Sequence, residues 1–289
     1  MVVVRPASEG DRGIIAEISK HYDSNLIRLL YNTWLQQGNL YVAEEKGKTI
    51  GFCCLAFPAA TEAQILGIRL LPEYQKETVG KQFVIALMQV AQGRGCNIVR
   101  VITSTENWET QAALQRNLYF ERRGAWVIGY REKMQRKNCS GLRIEPSPPE
   151  MLEDIWQFLQ YSQTYRRSEG LIFTSGYAFR SFSKAYLSQL LEEGQVYVSL
   201  EDRMLAGVAC ARFEGDTMVL SYIDARPHAI PDLLQGIICR QKQQYLVSAV
   251  PMDCYLEVKP LLTHIVEGHN PDRWLVMEKE VSPLALSRD

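Results

Sequence analysis

The sequence predicts a mixed α/β fold made of two halves with the same element order. Three observations lead there. Apolar runs with strand alternation trade places with runs of helical spacing along the whole chain. An eighteen-residue hairpin pattern occurs twice. The 289 residues suit two ordinary domains at about 100–200 residues each.

Val2–Arg5 reads as a short strand. Ser8, as an N-cap before an acidic first turn, opens a helix whose apolar residues are Ile14, Ile15 and Ile18. Asn25–Gln36 is a second helix with Leu26, Leu29, Leu30 and Trp34 on one face, and Gly38-Asn39 ends it. Leu40–Glu44 and Thr49–Phe57 form a hairpin. Ala63–Leu71 is a strand closed by Pro72, and Val79 to about Gln92 is a helix. Asn97–Thr103 is a strand, Asn107–Leu118 a helix and Trp126–Tyr130 a closing strand. Arg131–Asn138, Ser140-Gly141 and Pro146-Ser-Pro-Pro149 read as a linker.

Leu40–Phe57 superimposes on Val196–Phe213 without a gap. Tyr41/Tyr197, Val42/Val198, Glu45/Glu201, Gly51/Gly207, Cys54/Cys210 and Phe57/Phe213 are identical. Val3–Pro6 likewise resembles Leu142–Pro146. Duplication is the reading, with domains expected at 1–138 and 139–289. The second copy then holds helices at Met151–Gln160, Ser181–Glu193 and Pro231–Tyr245. Its strands fall at Thr217–Asp224, Asp253–Val258 and Trp274–Val281.

Lys plus Arg is 32 against 33 Asp plus Glu, so neither nucleic acid nor a membrane surface is an expected partner. No apolar stretch has the roughly 18–20 residues of a membrane span, and the start of the chain lacks the features of a signal peptide. Seven cysteines without C-x-x-C spacing predict reduced thiols, a cytoplasmic location and no zinc knuckle. The histidines have no ligand spacing, and no metal is expected.

The halves differ at one junction. In the first, a polar loop with Lys76, Gly80 and Lys81 joins strand to helix. Such a junction aims first-turn N–H groups and the positive dipole end at an anion. In the second, Arg226-Pro-His leads through Ala229-Ile-Pro into Asp232 with no such loop.

Ile65–Phe83, read as strand, Pro72, Gln75-x-x-x-x-Gly80 and long helix, resembles the GNAT superfamily of N-acetyltransferases over residues 2–130. The middle glycine of the family's pattern is Thr78 here. The resemblance implies two tandem GNAT-like folds, the second degenerate; the tandem plan and the His21-Tyr22-Asp23 segment are loosely similar to the histidine N-acetyltransferase group. It implies acetyl-CoA as co-substrate, with pyrophosphate on Gln75, Lys76, Glu77, Thr78, Val79, Gly80 and Lys81. The pantetheine arm would pair with backbone at Ile68, Leu70 and Leu71, near Asn107. The acceptor would be a primary amine of a small or amino-acid-like molecule, and the protein a monomer or homodimer. The family's usual tyrosine acid falls at Gln115, which leaves Tyr119 as the candidate acid, with Tyr74 as a substitute. His21, in His21-Tyr22-Asp23, is the candidate base or acceptor contact. A non-catalytic acyl-CoA-binding or regulatory protein stays open as the alternative.

Trp34 and Trp108 read as packing residues, and Cys53-Cys54 as buried inert thiols on opposite strand faces. Tyr161, Tyr165, Arg166 and Arg167 read as a surface loop, or as a cluster that could bind a substrate carboxylate.

Overall fold

The computed structural model describes residues 2–22, 25–134, 144–226, 228–240, 243–265 and 271–282. Asp23, Pro227, Cys139, His269, the side chains of Leu26, Leu29, Leu30 and His264, and the linker with the expected boundary at 138/139 lie outside the described residues.

In chain order the first elements are β1 (Val3–Pro6), α1 (Arg12–Ser19), α2 (Asn25–Gln36), β2 (Leu40–Glu45), β3 (Lys48–Ala59) and β4 (Glu62–Leu70). Then come α3 (Glu77–Gly93), β5 (Ile98–Ser104), α4 (Trp108–Leu118) and β6 (Glu121–Lys133). The chain continues with α5 (Leu152–Tyr161), α6 (Gln163–Arg167), β7 (Leu171–Phe173), β8 (Phe179–Ser181) and α7 (Lys184–Glu192). It ends with β9 (Val196–Glu201), β10 (Met204–Glu214), β11 (Thr217–Ala225), α8 (Ile230–Arg240), β12 (Tyr245–Pro251), α9 (Met252–Ile265) and β13 (Asp272–Glu280).

Two compact units emerge. The first holds Met1–Arg123, Gly176–Ala178 and Leu275–Asp289, and the second Gly124–Ser175 and Phe179–Trp274. Within the first unit the strands run β1-β2-β3-β4-β5-β13. The second unit runs β6-β12-β11-β10-β9, with β7-β8 as a separate ladder.

Hairpin chemistry sets the start of each sheet. The turns Lys46-Gly47 and Asp202-Arg203 occupy matching places, and all four residues have positive φ. Two successive positive φ values match the twist of paired strands. β1 meets β2 at Pro6↔Tyr41, and an isolated bridge joins Pro146 to Tyr197. The parallel pairs match too: Glu62↔Ile98 through Ile65↔Val101, and Thr217↔Tyr245 through Leu220↔Ser248.

The cores follow the pattern. Leu40, Val42, Phe52 and Cys54 pack with Ile15, Ile18 and Trp34 in the first unit. Val196, Val208 and Cys210 pack with Ile155, Leu159 and Leu187 in the second. Each fully buried large apolar side chain contributes about 1.5–3 kcal/mol.

Several expectations need correction. Asp253–Val258 is helical, within α9, because Cys254, Val258 and Leu262 bury one helix face at i, i+4, i+8. The strand is the preceding run Tyr245–Pro251, and α8 stops at Arg240. The strand expected at Trp126–Tyr130 is longer and pairs with β12, Trp126↔Pro251 to Lys133↔Tyr245. It therefore closes the second unit, while Leu275 onward belongs to the first. Ser181 ends β8 rather than starting a helix. Trp108 is 70% exposed and packs no core, whereas Trp34 is fully buried.

Cys53, Cys54, Cys96, Cys210 and Cys254 are free and buried, and burial pushes the Cys53 and Cys54 thiols up. Cys239 is disulfide-bonded, a departure from the all-reduced expectation. No helix among the described residues is long and apolar enough to cross a membrane.

Candidate functional site

β4 and β5 pair only from Glu62/Ile98 to Ile65/Val101, although β4 runs on to Leu70 and β5 to Ser104. Beyond Ile65 the two parallel strands part. At the parting point β4 carries a bulge opposite β3, between Cys54↔Leu66 and Phe52↔Arg69, with Gly67 at φ 67°. Only glycine holds that φ without strain. A bulge re-aims the backbone that follows it.

β4 then feeds a single 3₁₀ turn, Pro72–Tyr74, and α3. The helix starts at Glu77, two residues earlier than expected, so Thr78, Val79 and Gly80 lie in its first turn. Its N-cap, Lys76, makes no side-chain cap. The N–H groups of Val79 and Gly80 bond the Lys76 carbonyl at 3.0 Å. An uncapped N-terminus of a seventeen-residue helix favours an anion. Glu77 sits in that turn and accepts from the Asn117 amide, so it ties α3 to α4 while adding a local negative charge. A Cβ built on Gly80 meets nothing within 4 Å. The fold does not need glycine there, and a phosphate approaching the helix does. Lys76 and Lys81 are exposed beside it. The helix start and its two lysines together suit an anion.

The strand edge is less open than the sequence suggests. The Tyr22 hydroxyl donates to the Leu70 carbonyl at 2.7 Å and accepts from the Leu70 N–H at 3.0 Å. The Gln75 amide donates to Tyr22 at 2.9 Å and to Leu70 at 3.3 Å. Arg69 donates to the Ile68 carbonyl at 2.9 Å and lies over the Tyr22 ring at 4.7 Å. The Leu71 N–H bonds Ile50 at 2.9 Å.

Arg69 is the unexpected member. It is mostly buried, its Nε has no partner, and burial lowers its proton affinity. A cation inside an apolar strand end is costly without an anion beside it. The sequence signal was present, since Arg69 interrupts the apolar run Ile65–Leu71.

The remaining sequence candidates are dispersed. Asn107 is the N-cap of α4, its side-chain oxygen accepting from the Thr110 N–H at 3.1 Å. Tyr119 is the C-cap of α4 in the left-handed region, 75% exposed, with Lys279 over its ring at 5.5 Å. His21 is exposed in the turn after α1, its N–H bonded to Ile18 at 3.1 Å. Tyr74 packs against the first unit's core, with Lys48 over its ring at 5.7 Å. Tyr165 is not a loop residue: it lies in α6, donates to the Phe182 carbonyl at 2.8 Å and packs edge-on to Trp156.

In the second unit the matching junction is shut. α8 starts with Ile230-Pro231-Asp232-Leu233, and Leu233 is fully buried at the fourth position, where α3 has Gly80. Pro231 removes one first-turn N–H.

Residues 15–124 match the model of the acetyltransferase (GNAT) family. An uncharacterized N-acetyltransferase of Chlorobaculum tepidum is 30% identical over 103 residues, 35% of this chain and 66% of that protein. The match thus spans just under two thirds of that relative. Among solved structures, a GCN5-related N-acetyltransferase from Sphaerobacter thermophilus aligns with a TM-score of 0.57 at 10% identity, over 96% of this chain and 95% of its own. A candidate acetyltransferase from Pyrococcus horikoshii aligns at 0.51 and 13% identity, over 98% and 90%. These two likenesses show the fold.

Proposed function

We propose, from the premise that residues 15–124 form a GNAT acetyltransferase domain and hence an acyltransferase, that the chain moves an acetyl group from acetyl-CoA to a primary amine. The carrying observation is the parting of β4 from β5 beside the uncapped start of α3, with open space at Gly80. Pyrophosphate would rest on Gln75–Lys81, and the thiol arm would enter where β4 leaves β5.

The neutral amine attacks the thioester carbon, and a β4 N–H faces the oxygen as it gains charge. The tetrahedral centre collapses, the C–S bond breaks and the CoA thiolate leaves. Holding both reactants in place supplies roughly 7–11 kcal/mol of the barrier. The ammonium proton passes to a base or to water. Tyr119 and His21 are the carriers named from sequence. Tyr22 has the better support, since its hydroxyl already bonds β4 at Leu70. Arg69 supports an amino-acid-like acceptor, whose carboxylate would meet a mostly buried guanidinium held by a backbone carbonyl and the Tyr22 ring.

The chain is read as a tandem, the second unit being a degenerate copy. The matched registers and the whole-chain fold likeness support this. A cytoplasmic monomer or homodimer remains the proposal for location and assembly, supported by the free buried thiols and opposed by the Cys239 disulfide.

A second reading is favoured by one observation. Tyr22 occupies both polar groups of Leu70, so the chain could hold acyl-CoA without completing transfer. Thermal shift and thiol release separate the two. Acetyl-CoA at 100 times its Kd stabilises by about 2.7 kcal/mol. Stabilisation without thiol release across amino acids and their decarboxylated amines supports the second reading. No stabilisation at millimolar acetyl-CoA, or equal turnover in Gly80→Leu, refutes the site.

A further inference from the structure

The second unit has a cavity of about 730 Å³, within the range of small-molecule sites. α5, α6, the end of β11, the β9–β10 turn and α9 surround it. Asp224 lies at its polar end, mostly buried.

Three hydroxyls converge on this carboxylate. Tyr222 donates at 3.3 Å, and Ser162 and Thr164 donate from the break between α5 and α6. That break exists because Ser162 leaves the helical region at ψ 137° to cap α6. The next strongest influence on Asp224 is the negative charge of Glu257, another lining residue. None of these groups is a cation. Asp11 and Arg100, also buried, each have an oppositely charged partner at 2.8 Å or less. Two lining residues are cations: Arg226 pairs with Glu201 at 2.9 Å, and Arg203 is exposed in the β9–β10 turn, while the Arg167 guanidinium feels the charge of Glu257 from outside the lining. Phe158 and Tyr161 supply an apolar and aromatic wall.

We propose that this cavity binds a small molecule with a primary ammonium group on an apolar body. The ammonium offers three donors and a positive charge to Asp224 and Glu257, and the body lies along Phe158 and Tyr161. Burial and Glu257 raise the proton affinity of Asp224, a cost that a bound cation relieves. No group of three or more metal-capable side chains occurs among the described residues, so the carboxylates do not form a metal shell there. Binding here does not depend on acetyl transfer in the first unit.

The test is calorimetry on the full chain with 2-phenylethylammonium, 3-phenylpropanamide and 3-phenylpropanoate. The ammonium probe should bind, the amide weakly and the carboxylate not at all. Asp224→Asn should weaken the ammonium probe about tenfold or more, as loss of a charge-assisted bond does. Tyr161→Ala, at an exposed position that the fold does not need, should weaken it about threefold. If Asp224→Asn fails to fold, Tyr161→Ala together with the charge series still decides. No binding of the ammonium, equal binding of the carboxylate, or equal affinity in both variants overturns the proposal.

Discussion

The two units share a backbone frame and differ in what they bury on it. Glu62↔Ile98 and Thr217↔Tyr245 start matching parallel ladders. Two positions along, the first unit pairs Gln64 with Arg100, and the second pairs Val219 with Val247. Arg100 is 1% exposed and holds Glu62 at 2.6 Å and Glu278 at 2.8 Å. Near the strand end, Gly51↔Leu70 matches Gly207↔Ala225, which sets Arg69 against Asp224. A buried cation stands where the other unit has a buried anion. At the fourth residue of the next helix, open Gly80 stands against buried Leu233. Backbone pairing tolerates any side chain that fits its face, so the frame persists while the electrostatics change. Among the described residues, the first unit has open space at the helix start and the second has a buried leucine there.

The largest test of this contrast is Arg100→Ala. It removes the buried guanidinium that holds Glu62 and Glu278, leaving Arg123 at 3.3 Å from Glu278, and should cost about 3–5 kcal/mol in urea unfolding. The matched Val247→Ala should cost about 1–2 kcal/mol, from two buried carbon groups. Equal losses would erase the distinction between a polar and an apolar centre. Leu233→Ala comes next, at about 2–5 kcal/mol, because it opens a cavity in a closed core. Gly80→Leu should leave the unfolding midpoint within experimental error of wild type and abolish the acetyl-CoA thermal shift. Tyr22→Phe should cost about 1 kcal/mol and alter acetyl-CoA affinity, since it releases the Leu70 N–H and leaves the Leu70 carbonyl to the Gln75 amide. An unchanged affinity would show that the hydroxyl does not guard the strand edge.

The smallest effects are in pH, and the units differ in sign. Arg5 holds the Asp11 carboxyl well below the usual range. Its stabilisation is present above the unfolded value near 4 and disappears as pH falls through the lower folded value. Asp224 is raised by burial, so its penalty is present at neutral pH and fades as pH falls through its folded value toward 4. Asp11→Asn should therefore lose more stability at pH 7 than at pH 3. Asp224→Asn should compare better with wild type at pH 7 than at pH 4. The reverse order for either would remove the carboxylate from its assigned environment.

Much of the frame was legible because its signals are local. Asn25–Gln36 appears as read, and the paired hairpins fall where six shared residues put them. The junction at Gln75–Lys81 was legible through proline, glycine and the helix start. The run after Gln244 was misread because Tyr245–Pro251 and Met252–Ile265 are both apolar, and a short apolar run does not declare its period. Arg69 and Asp224 stand in plain view within apolar strands, yet their meaning depends on Tyr22 and Ser162, which are distant in sequence.

The sequence by itself determined the α/β class, the repeated hairpin, and the strand–turn–helix junction at Gln75–Lys81, since these rest on side-chain period and turn chemistry within a few residues. Tertiary structure alone decided that β6 closes the second unit, that Tyr22 covers Leu70, and that Asp224 lines a cavity with three hydroxyls on its carboxylate. Those outcomes rest on pairings between residues far apart in the chain. Strand partners and buried charges find one another through space, and no local pattern encodes the match.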